Sequence, residues 1–186
     1  MRHAMRDETE PVEIYLKPGE FYFGGSHVRV HTLLGSCVSI TLWHPLRHIG
    51  GMCHFMLPSR GKAAALHPDG RYADESVKLF LREIGKFKSS PGEYQVKLFG
   101  GGSMFQQFRA GKPSEIADSN IEAARTLLQA GGFCVHAEDV GGNGHRRIIL
   151  DLRDGNVWVK HEKISVPRPV VVELGIANRF TAEAPE

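Results

Sequence analysis

A chain of 186 residues, 41% hydrophobic and 24% charged, has the apolar content to bury one core of ordinary domain size, which excludes disorder as the whole answer. Its 23 basic and 21 acidic residues give a net charge of +2 with neutral histidines, and the basic residues are spread rather than gathered, which argues against a nucleic-acid partner. No run approaches the roughly 18 apolar residues that cross a bilayer, and Met1 to Glu13 mixes charges without an apolar leader, so a cytoplasmic protein without membrane insertion is expected.

In chain order, residues 1–12 and 179–186 are polar and read as flexible ends of a single domain over 13–178. Within it, 21 glycines and 10 prolines break β-branched runs into short strands, expected over 28–33, 37–43, 48–56, 96–99, 133–140, 146–152 and 156–161. A helix is expected over 72–86, where Val77, Phe80, Leu81 and Ile84 repeat at the spacing of one apolar stripe. A second runs from Ser119 or Asn120, a capping-type start, through Ile121, Ala124 and Leu128 to the Gly131-Gly132 stop. Turns at Gly141 to Gly144 and at Asp154-Gly155 make the C-terminal half read as a small meander. Val166 to Pro169 and the apolar stretch Val170 to Ile176 read as an edge strand or a docking strip. The fold class expected is α/β in the broad sense (α+β): a layered sandwich of mostly antiparallel strands with two main helices.

Three cysteines, Cys37, Cys53 and Cys134, lack the spacing of a disulfide framework or a zinc ribbon. Cys53 and Cys134 alternate with apolar neighbours and read as core. Cys37 differs. It opens an apolar alternation that reaches Trp43, turns at His44 to Arg47, and returns through Gly50-Gly51-Met52-Cys53-His54 as a β-hairpin. Pairing Trp43 with His48 sets His54 opposite Cys37, while Val38, Ile40, Leu42, Cys53 and Phe55 take the other, core-facing side. Directly opposed residues have Cβ atoms ~4.5 to 5.5 Å apart, within reach of a thiol–imidazole hydrogen bond. A bulge at Gly50-Gly51 is the alternative, and it would move His54 off that face. A thiol of pKa ~8.5 beside an imidazole is a nucleophile with its general base and acid. Gly35 and Ser36, just before the thiol, fit a tight turn whose N–H groups support a developing oxyanion.

Other patterns read as structure. His27 and His31, or His44 and His48, are four apart but share no helical face, so no metal site is expected. Gly100-Gly101-Gly102-Ser103 lacks the Lys-Ser/Thr of a phosphate loop and reads as a turn that brings backbone close to something. Glu138-Asp139 reads as a solvated or turn-capping acid pair.

The segments Thr32-Leu33-Leu34-Gly35-Ser36-Cys37-Val38 and Gly50-Gly51-Met52-Cys53-His54-Phe55-Met56-Leu57-Pro58 resemble the chemoreceptor glutamine deamidase family, CheD. Arg71 to Asp74, Lys97 to Gly102, Asn120-Ile121, Ala137 to Asn143 and Arg146-Arg147 resemble it in the same order, over about 13–160. The resemblance implies a layered sandwich like that of deamidating toxin catalytic domains. It implies hydrolysis of glutamine side chains to glutamate on methyl-accepting chemotaxis receptors through a cysteine thioester, with some receptor methylesterase activity and no cofactor. Cys37, His54 and Thr32 match the family's catalytic residues, with His31 beside Thr32 as the alternative. Receptor helical bundles and, in some species, the phosphatase CheC are the implied partners. A non-catalytic receptor- or CheC-binding adaptor and another thiol acyltransferase are the competing readings.

Overall fold

A computed structural model of the chain describes residues 10–61, 67–104 and 115–163. The expected flexible end 179–186, most of the one at 1–12, and the Val166 to Ile176 strip lie outside the described residues.

The first strands are two that sequence patterning did not reveal: β1 (Val12–Leu16) and β2 (Phe21–Gly24). They are short, and β1 exposes Val12 and Tyr15 at an edge, so neither carries a strong hydrophobic alternation. The expected strands follow as β3 (Val28–Leu34), β4 (Val38–His44), β5 (Ile49–Cys53), β6 (Gln95–Gly100), β7 (Val135–Val140), β8 (His145–Asp151) and β9 (Val157–Glu162). Helix α1 spans Ala73–Lys86. Helix α2 spans Glu115–Ala130, so it starts before the Ser119 or Asn120 cap expected, and Asn120 is instead a fully buried residue inside it.

The strands form a four-stranded sheet, β1-β3-β8-β9, and a five-stranded sheet, β2-β5-β4-β6-β7. Antiparallel pairs dominate; β1 with β3 and β6 with β7 are parallel. The C-terminal half is therefore not one meander. The chain crosses from β7 in one sheet to β8 in the other, and only β8 and β9 form a hairpin, closed by Gly155 at φ 73°.

Alternation along β4 explains the layering. Val38, Ile40 and Leu42 face one way and pack with Val77, Phe80 and Ile84 of α1 and Ile121, Ala124 and Leu128 of α2. Leu81 falls at the margin of the α1 stripe and is exposed. Cys37 and Trp43 face the other way and pack with Val30, Leu34, Ile148 and Leu150 of the four-stranded sheet. The order is helices, five-stranded sheet, four-stranded sheet. The face carrying Cys37, Ser39 and Thr41, more polar in sequence, is thus an interior layer rather than a solvent face: Ser39 and Thr41 are both buried. Each large apolar side chain buried in these layers contributes about 1.5–3 kcal/mol.

Cys53 is core, as expected, and burial pushes its thiol up to about 12. Cys134 is not: it precedes the edge strand β7 and is exposed, while its neighbour Phe133 takes the buried position. Among the described residues, no helix is long and apolar enough to cross a membrane.

Candidate active site

The β4–β5 hairpin has a different register from the one expected. His48 adopts φ 50° and donates its N–H to the His44 carbonyl at 2.9 Å, so it belongs to the turn and His44 pairs with Ile49. Pairing then runs unbroken through Trp43 with Gly50, Leu42 with Gly51 and Thr41 with Met52, with no bulge at the glycines. Those glycines serve close strand approach: a Cβ on Gly50 would meet the Leu42 carbonyl at 2.1 Å. Val38 and Phe55 exchange both main-chain hydrogen bonds, at 3.1 and 3.0 Å. His54 is therefore diagonal to Cys37, not directly opposite. The slip is two residues, an even number, so both stay on the interior face, and diagonal neighbours lie roughly 7–8 Å apart, within reach of long side chains.

The imidazole of His54 is held from the four-stranded sheet. Its Nδ1 lies 2.8 Å from the Thr32 hydroxyl, which donates to the Leu16 carbonyl at 3.0 Å. A hydroxyl has one proton, so His54 Nδ1–H is the donor to Thr32 and Nε2 carries the lone pair. That Nε2 is buried with no hydrogen-bond partner among the described residues. Thr32, facing inward on β3, is the residue that meets His54. His31 points to the outer face, where it stacks on Tyr15 at 4.5 Å and pairs with Glu13.

The main chain of His54 is held equally firmly, by a segment that sequence reasoning passed over. Gly19 N–H donates to the His54 carbonyl at 2.7 Å, and His54 N–H donates to the Glu20 carbonyl at 3.0 Å. The β1–turn–β2 unit thus supplies Leu16 for Thr32, and Gly19 and Glu20 for His54. The signal for it was Pro18-Gly19, a turn dipeptide between two short apolar runs.

The Gly35-Ser36-Cys37 turn is pinned by its carbonyls. Gly35 accepts from Gly102 N–H at 2.8 Å, Cys37 from Gly101 N–H at 2.8 Å, and Ser36 from Asn120 Nδ2 at 3.3 Å. The glycine run is what Cys37 needs as a neighbour, since a Cβ on Gly100, at φ 107°, would stand 2.3 Å from the Cys37 carbonyl. Glu138 and Asp139 are structural: Glu138 pairs with Arg125 at 2.6 Å, and Asp139 holds the buried Arg146 of β8 at 2.9 Å, tying the two sheets together.

Burial raises the Cys37 thiol above its ordinary value and lowers His54 to about 4, although the Leu16 carbonyl and the Glu20 carboxylate pull the imidazole upward. The resting pair is a neutral thiol and a neutral imidazole. Among the described residues no cluster of histidine, cysteine or carboxylate could hold a metal ion.

Comparison with known proteins shows the family of the chain. The family described as CheD chemotactic sensory transduction matches residues 56–161. The "Probable chemoreceptor glutamine deamidase CheD" of Pseudomonas syringae pv. tomato is 50% identical over 164 residues, 87% of this chain and 96% of that protein. The "Probable chemoreceptor glutamine deamidase CheD 3" of Dechloromonas aromatica is 47% identical over 151 residues, 81% of this chain and 88% of that one. A solved structure, the Bacillus licheniformis hypothetical protein YfiH, is 14% identical with a TM-score of 0.38 over 63% of this chain and 49% of that one, too slight a likeness to carry an argument. With relatives this close over most of its length, the chain belongs to the CheD family.

Proposed function

We propose that the protein deamidates glutamine side chains of chemotaxis receptors, with Cys37 as nucleophile, His54 as general base and acid, and Thr32 as the group that orients His54. The observation that carries this reading is the His54 imidazole: Nδ1 engaged by Thr32, Nε2 bare, on the same interior face as the Cys37 thiol. The relatives' names supply the substrate class.

The reaction proceeds in two halves. His54 Nε2 takes the Cys37 proton as sulfur attacks the side-chain amide carbon, and the C–N bond then breaks with the imidazolium proton leaving on ammonia. Water, deprotonated by the same Nε2, hydrolyses the thioester to glutamate and returns the proton to sulfur. Resting hydrogen bonds of this kind often tighten only with substrate bound, so a thiol diagonal to its base is compatible with the step. The oxyanion falls to N–H groups of the Gly35-Ser36-Cys37 turn. The same attack on a receptor γ-methyl ester releases methanol instead of ammonia, so methylesterase activity belongs to the same site.

The test is peptide mass spectrometry on a receptor cytoplasmic domain incubated with the protein or with its Cys37→Ala variant. A site-specific change from amide to acid that requires Cys37 is expected. Full conversion by Cys37→Ala overturns the cysteine mechanism, and receptor binding without conversion by the unaltered protein favours the adaptor reading.

A further inference from the structure

We propose that Asn120 is a positioning residue for the reaction, fixing from behind both the turn that carries Cys37 and the strand end that carries His54. This rests on the deamidase reading of those two residues. Asn120 lies inside α2 and is fully buried, facing the five-stranded sheet. Its Nδ2 donates to two carbonyls that no regular element satisfies: Ser36 at 3.3 Å, one residue before the nucleophile, and Met56 at 2.8 Å, two residues after the base. Both partners are acceptors, which settles which way the amide points.

The peptide plane makes the Ser36 contact consequential. In a trans peptide the carbonyl and the following N–H point in opposite directions. Drawing the Ser36 carbonyl toward Asn120 therefore turns the Cys37 N–H away from α2, on the same peptide as the nucleophile. Gly102 does the same at the Gly35 carbonyl, which turns the Ser36 N–H. Asn120 thus sets the direction of an oxyanion donor and, through Met56, the separation of the two strands that bring sulfur and imidazole together. One amide group spans both.

A second feature marks the residue as more than a space-filler. Its Oδ1 is buried and has no hydrogen-bond partner among the described residues. An orphaned acceptor in a core is a cost that leucine, similar in size, would not carry. An amide stands where packing alone favours an apolar side chain.

The experiment uses the full chain with Asn120→Leu, with unaltered protein and His54→Ala as references. Three quantities are read: melting temperature, the pH profile of Cys37 alkylation by iodoacetamide followed peptide by peptide, and kcat and KM on a receptor cytoplasmic domain. With a melting temperature near that of the unaltered protein, kcat is expected to fall about 10- to 100-fold with KM little changed, since small misplacements cost that much. The alkylation profile is expected to move toward that of His54→Ala. A kcat and profile equal to those of the unaltered protein overturn the inference, as do losses that track only the folded fraction. If Asn120→Leu does not fold, Asn120→Ser, whose hydroxyl can serve one carbonyl, is read in the same way: an intermediate profile supports the inference and an unaltered one overturns it. A profile that moves although no receptor is converted leaves the inference standing and removes the receptor reading. A profile of the unaltered protein that is indifferent to His54 removes both.

Discussion

His54 Nδ1 and the Thr32 hydroxyl meet at 2.8 Å across the gap between two sheets, so the imidazole on one sheet takes its tautomer from a side chain on the other. Thr32→Val keeps the shape and deletes the hydroxyl that pairs with Nδ1–H and with the Leu16 carbonyl. We expect kcat to fall on the order of 10- to 100-fold and stability by about 1–3 kcal/mol, with Thr32→Ser restoring most of both. Steady-state kinetics with thermal melts check this, and an undiminished kcat moves the orienting role away from Thr32.

The depressed His54 value makes a prediction about acid. With the imidazole lowered to about 4 by burial, the base stays free down to that region, so the acid limb of kcat/KM falls near pH 4 and not near the ordinary 6.5. The stability sign follows. Above 6.5 neither folded nor unfolded His54 binds a proton and the group contributes nothing. Between 6.5 and about 4 only the unfolded chain binds one, so the fold weakens as pH falls through that window. His54→Gln flattens that stretch of a stability–pH curve measured by denaturant titration, and an unchanged slope counts against the buried neutral imidazole. Asp151, whose burial is outweighed by Arg153 and Arg29, has a lowered carboxyl and loses its contribution as pH falls from the ordinary carboxylate value downward, below most of the His54 window.

Gly100 is predicted to be intolerant of a side chain. Gly100→Ala forces a left-handed φ of 107° on a Cβ that also strikes the Cys37 carbonyl at 2.3 Å. A loss of roughly 1–3 kcal/mol is expected from the strain, with activity falling beyond what the remaining folded fraction explains. Gly92, where a Cβ meets nothing within 4 Å, is the control and should accept alanine with little effect.

The inter-sheet pair Arg146–Asp139 is asymmetric, one partner buried and the other half-exposed. Asp139→Ala strands a buried cation, whereas Arg146→Met leaves an acid that water can reach. We therefore expect Asp139→Ala to be the more destabilising of the two, and chemical denaturation giving the reverse order would refute the argument.

Much of this was legible in the residues. Alternation over 38–43, the helical stripe of Val77, Phe80 and Ile84, and the turn glycines at 141–144 and 155 are local signals, and each element formed where it pointed. The face shared by Cys37 and His54 was legible because a register slip of two preserves it. What was not legible is non-local. His48 in a left-handed turn, the buried Asn120, and β1 with β2 depend on neighbours far along the chain, and the polar look of Ser39 and Thr41 gave no hint that a second sheet covers them.

The place of β3 has a consequence for how the protein comes into being. Thr32 sits on a strand whose partners are β1, made just before it, and β8, made near the end of the described chain, where Ile148 pairs with Thr32 itself. A nascent chain already holding Cys37 and His54 has no four-stranded sheet to pin the imidazole until β8 emerges. Pairing at such sequence separation is slow. Catalytic competence should therefore arrive last on the folding pathway, after the hairpin and helices have collapsed.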